Sequence, residues 1–203
     1  MITLRYSGSG IPLAALLSMV FLSAPCVFGQ PVSFGVVAGA SVLADFQNRM
    51  VGDIAAYSTP RGAIVGALFE VRLPLSLSVE VDGLYHEIEF TNAVVGPDGS
   101  LASIVPLPVV TWEFPVLAKY RFTLAFFKPF VEAGPAFRVS GSGNGSSPSN
   151  RGVVIGAGLE AQAWRLKVAP AVRYLRWAVN RNVGPIAPLT TPNQVEVVFG
   201  ISF

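Results

Sequence analysis

The chain has 203 residues, enough for one ordinary domain; 52% are hydrophobic and only 13% are charged, about half the charge of a typical soluble domain. Mean hydropathy is +0.56, yet nothing after residue 30 supplies the run of about 20 apolar residues that a spanning helix needs, which leaves a very large dry core or a closed sheet facing lipid. A net charge of +2 without any cluster of Lys and Arg excludes a nucleic-acid interface.

Residues 1–29 have the order of a secretory signal. MITLRYSGSG carries the single charge of Arg5, IPLAALLSMVFL is an apolar core too short to span, and SAPCVFG offers cleavage after Gly29. The lone cysteine, Cys26, falls in this segment, so the domain over 30–203 holds neither thiol nor disulfide. From there the dominant period is two, the strand signature. Eight strands are expected, over about 32–43, 62–72, 75–90, 109–122, 126–140, 152–164, 167–179 and 194–203. Their connections alternate. Leu73-Pro74, Thr123-Leu124-Ala125 and Arg165-Leu166 are short, whereas 44–61, 91–108, 141–151 and 180–193 are long. An up-and-down sheet crossing a membrane has this alternation, with tight periplasmic turns and large external loops.

Charge follows parity. In WEFPVLAKYRF one face carries Trp112, Phe114, Val116, Ala118, Tyr120 and Phe122, and the other carries Glu113, Lys119 and Arg121. Extended to every strand, the second face collects Glu70, Glu80, Asp82, Glu113, Glu132, Glu160 and Glu196 with Arg72, Lys119, Arg121, Lys128, Arg138, Lys167 and Arg173. Seven acids match seven bases. A small barrel holds such a set inside when each ion finds a partner, while on the lipid side one Arg or Lys at the midplane costs about 2–4 kcal/mol. The apolar face places Phe34, Tyr120, Phe122, Phe127 and Phe203 near one rim and Tyr85, Trp112, Phe137 and Tyr174 near the other, as two interfacial belts require; Phe69 and Phe114 blur that division. Pro115, Pro135 and Pro170 interrupt three strands and predict local irregularity, because each removes a ladder donor.

The stretches EFPVLAKYRF, KPFVEAGPAFRVSG and GVVIGAGLEAQAWRLKVAPAVRYLRW resemble the small bacterial outer-membrane β-barrel family, the eight-stranded OmpA/OmpX-like group also called the porin family. The resemblance spans roughly 30–203. It implies an all-β, eight-stranded antiparallel up-and-down transmembrane barrel behind a cleavable signal peptide, exported to the outer membrane. It also implies a monomer among outer-membrane lipid and lipopolysaccharide, with Phe203 as the signal read by the outer-membrane assembly machinery. The cell-wall tether of the larger members is not expected here.

Chemistry is sparse. His86, the only histidine, shares a face with Glu80 and Asp82 and is a candidate general base with Ser103 or Ser140. No spacing ties them together, and a solvated rim histidine is the expectation, with no catalytic residue and no enzyme. One histidine without cysteine builds no zinc site unless several carboxylates join it, Asp45, Asp53 and Asp98 lack calcium-loop spacing, and no cofactor is expected. The expected role is a scaffold with a side-chain-filled interior whose loops bind an unknown extracellular ligand, in recognition or adhesion. The alternatives are a small-solute or ion pore, a lipid-modifying outer-membrane enzyme, and a soluble lipocalin-like carrier. The carrier needs charges outside, yet 14 of the 25 charges after Arg5 share one face with glycines and serines.

Overall fold

The computed structural model describes residues 32–43, 49–51, 54–57, 62–95, 101–123, 127–141, 149–163, 165–178 and 191–203. The signal segment with Cys26, the three loop aspartates and the tips of the long connections lie outside these residues. Ten strands follow in order: β1 (Val32–Ser41), β2 (Arg49–Val51), β3 (Ile54–Tyr57), β4 (Ala63–Arg72), β5 (Leu77–Val95), β6 (Leu101–Arg121), β7 (Phe127–Ser140), β8 (Arg151–Ala163), β9 (Leu166–Trp177) and β10 (Asn193–Ser202). Eight of them, β1 and β4 to β10, form a closed antiparallel barrel; β2 and β3 are an added hairpin. The seam joins β1 to β10 from Gly35↔Ser202 to Ser41↔Glu196. Beyond it Phe34 and Phe203 exchange both backbone hydrogen bonds, at 3.2 and 3.0 Å.

The registers fix the tilt. Starting at Val32, successive partners are Val71, Val79, Ala118, Ala133, Ile155, Tyr174 and Val195, and Val195 returns to β1 by accepting from the Val42 amide. One circuit therefore advances the chain from Val32 to Val42. With eight strands about 4.8 Å apart and about 3.3 Å per residue, that stagger inclines the strands by about 40°, within the range of small membrane barrels.

Each proline is absorbed on one flank. A strand residue directs its N–H and C=O at the same neighbour, so a missing donor weakens one ladder and spares the other. Pairing lapses between β5 and β6 opposite Pro115, between β6 and β7 opposite Pro135, and between β8 and β9 opposite Pro170. The opposite flanks pair through Pro115↔Ala136, Val153↔Pro135 and Phe199↔Pro170. Register resumes unchanged after every lapse.

Two connections differ from the sequence reading. Residues 91–108 are not a loop over most of their length: β5 runs to Val95 and β6 starts at Leu101, paired down the extension with one bulge at Val94/Val95. Within 44–61, β3 pairs with β5 over Thr91–Val94. A four-stranded sheet, β2-β3-β5-β6, thus continues past the end of β4, where Ile64 pairs with His86. Glycine and proline in 96–108 carry the composition of a loop, but Pro106 and Pro108 lie in β6 where the described residues give it a neighbour on one side only, the edge position that tolerates proline.

The β4–β5 turn also differs, being four residues long, with Pro74–Leu77 closing by a Leu77 N–H to Pro74 O bond of 3.4 Å. Both central residues, Leu75 (φ 63°) and Ser76 (φ 62°), are left-handed, the geometry of a type I′ hairpin that favours Asn-Gly. Replacing Leu75 by Asn together with Ser76 by Gly is expected to stabilise the barrel by about 1 kcal/mol or more. Urea titration in lipid vesicles measures it, and an unchanged midpoint contradicts the turn assignment.

Candidate functional site

The pleat sorts side chains into two environments. Outward stand Val36, Val65, Val131, Ile155, Val172 and Phe199, all about half exposed. Rings gather at both ends of this apolar band. Near the turns Phe34 meets Phe69 at 5.0 Å and Tyr120 meets Phe122 at 5.1 Å; near the extended end Tyr85 meets Trp112 at 5.4 Å and Phe114 stacks on Trp112 at 6.5 Å. Phe69 and Phe114 therefore belong to the belts they had blurred.

Of the fourteen charged residues assigned to one face, twelve are buried in the bore. Arg72 and Lys128 are half-buried at the turn-side mouth, Arg72 holding Glu160 at 3.1 Å. At mid-height Arg173 from β9 reaches across the bore to Glu132 on β7 (2.6 Å) and to Asp82 (2.7 Å) and Glu80 (3.0 Å) on β5. Lys119 joins the same acids, at 2.6 Å from Glu80 and 3.2 Å from Glu132, with its ammonium 4.7 Å from the Phe130 ring centre. Toward the turns Arg121 bonds Glu70, Glu160 (2.7 Å) and Ser78 (2.7 Å), while the Lys167 ammonium donates to Ser33 at 2.5 Å. The guanidiniums use several fork positions each, which is why arginine suits these sites.

Apolar side chains pack the bore beside the ionic groups. Val37, Ile64, Leu68, Leu84, Phe130, Ala171 and Val198 form one cluster, and Leu117, Ala136, Val154, Leu175 and Trp177 another. Glycines make the space: a Cβ on Gly156 would meet Glu132 at 2.8–3.0 Å. A cavity of about 20 Å³ lined by Glu70, Arg121 and Lys167 remains on the turn side of the bore, room for one or two waters.

At the extended end the bore changes character. His86 is 2% exposed, so it is not the solvated rim residue expected from sequence. Its Nε2 lies 3.5 Å from Glu113 Oε1. Arg138 stacks 4.1 Å over Trp177 and donates to the Ser149 carbonyl at 2.6 Å, and Trp177 donates to Gln194 at 2.5 Å. Ser140 is engaged by Thr111 at 3.0 Å. Ser103 pairs with Val94, eight residues beyond His86 and about 26 Å up the strand, which separates it from any base at His86.

No protein-family model matches the sequence, and no curated protein does. Solved structures are similar, and two of them are outer-membrane proteins. One is the outer membrane protein OprG from Pseudomonas aeruginosa, with 15% identity and a TM-score of 0.50 over 85% of this chain and 94% of that one. The chain has the fold of a small outer-membrane β-barrel. The other is the Yersinia pestis outer membrane protein Ail in a phospholipid bilayer nanodisc, with 12% identity and a TM-score of 0.40 over 84% of this chain and 99% of that one. The all-β, eight-stranded antiparallel architecture read from the two-residue period is the observed one, and the placement of charges is the inverse of what a soluble carrier needs.

Proposed function

We propose that the chain is exported by residues 1–29, resides in the outer membrane as a monomer, and acts as a plugged scaffold. The scaffold holds the β2-β3-β5-β6 sheet and the loops after β7 and β9 on the cell exterior for recognition or adhesion. The observation that carries this reading is the combination of a bore closed by ion pairs and apolar layers with a hairpin that continues about 26 Å past its barrel neighbours. Outer-membrane lipid and lipopolysaccharide cover the apolar face, and the assembly machinery engages β10 and its Phe203. The pore reading requires a continuous aqueous path, and an eight-stranded bore is just filled by its own side chains.

Two measurements test the proposal. In planar bilayers the purified protein is expected to give no stable conductance, and reproducible nanosiemens steps would overturn the plug. Replacing residues 88–108 by a short turn is expected to leave a folded, heat-modifiable barrel while adhesion of cells displaying it falls to the level of cells without it. Equal adhesion from the trimmed protein would reject the display role.

A further inference from the structure

Above the Arg173 network three side chains capable of ligating a metal converge from three strands: His86 of β5, Glu113 of β6 and Glu196 of β10. One donor atom of each lies within 4.8 Å of the other two, and all three residues are at most 2% exposed. In a tetrahedral site with N and O donors at 2.0–2.2 Å from the ion, neighbouring donors stand about 3.3–3.5 Å apart. The His86–Glu113 edge, at 3.5 Å, already has this spacing. The remaining edges need to close by at most about 1.5 Å, within the swing of a Glu side chain.

A second observation concerns the imidazole alone. His86 Nε2 is fully buried, directed at a carboxylate, and makes no hydrogen bond. Buried polar nitrogens are nearly always bonded, and one that is not calls for a ligand or a function.

The geometry points to a metal site formed by His86, Glu113 and Glu196 that takes a first-row divalent transition ion inside the outer end of the barrel. One nitrogen and two carboxylate donors suit zinc, cobalt or copper; magnesium and calcium take oxygen ligands. Affinity should rise from manganese through cobalt to copper, with zinc below copper. An ion bound there ties β10 to β5 and β6 across the bore.

The test uses the untagged protein without its signal segment, refolded in detergent and stripped with a chelator. Equilibrium dialysis against zinc should retain one ion per chain, with no retention of calcium or magnesium at the same concentration. Copper-loaded protein should show coupling to one imidazole nitrogen in electron paramagnetic resonance. The chain contains one histidine, so that signal assigns His86 without any variant. His86→Gln and Glu196→Gln should each lower zinc affinity by at least about 100-fold, more than loss of an outer-shell partner, whereas Glu87→Gln on the exposed face of the same strand should leave it unchanged. Copper bound without nitrogen coupling, no zinc retained at millimolar concentration, or equal affinity in a folded His86→Gln variant would each overturn the site. Should His86→Gln fail to fold, the wild-type spectrum decides.

Discussion

Arg173→Met is expected to destabilise the folded barrel by about 3–5 kcal/mol, the loss seen when one partner of a buried ionic network is removed. Arg173 is 3% exposed and holds Glu132, Asp82 and Glu80 at 2.6–3.0 Å. Without it three carboxylates share Lys119 in a bore that water scarcely enters, and their repulsion adds to the lost bonds. Reversible urea unfolding in lipid vesicles measures the difference, and the double variant Arg173→Met/Asp82→Leu should recover part of it because a buried acid leaves with the base. A loss below about 1 kcal/mol in the single variant would mean that the network contributes little, as exposed ion pairs do.

Val172→Arg is the second large effect, at about 2–4 kcal/mol, the range for a cation facing lipid at mid-bilayer. Val172 is 54% exposed on the outer face and sits next in sequence to Arg173, which the bore accommodates. The same side-chain type is thus tolerated at one position and penalised at its neighbour, for reasons of parity alone. Val139→Arg, 67% exposed beside the Trp112 belt, should lose no more than about 1 kcal/mol, because the penalty falls toward the interface. Equal stability of all three proteins in vesicles would show that the outer face does not meet hydrocarbon.

Strand count, face assignment and barrel class were legible because each rests on the two-residue period, which Glu113, Lys119 and Arg121 display against Trp112, Phe114 and Tyr120. The β2–β3 hairpin and the extension of β5 and β6 were not. Their prolines and glycines carry loop composition, and only pairing shows that Pro106 and Pro108 stand in a strand, with one neighbour among the described residues. The turn at Leu75-Ser76 lacks the Asn-Gly signature, since closure of the surrounding sheet dictates its backbone. The grouping of His86 with Glu113 and Glu196 was illegible for another reason. The three are far apart in sequence, and a one-residue change of stagger would turn any of them outward.

The seam between β1 and β10 has a consequence for biogenesis. Its partners, such as Val36 and Ile201, come from opposite ends of the folded region, so ring closure has to wait until that whole region is present. Until then the sheet is an open ribbon with two bare edges and a greasy surface, and long-range pairing of this sort is slow. The lifetime of that unclosed ribbon sets how much of the protein aggregates before the seam forms.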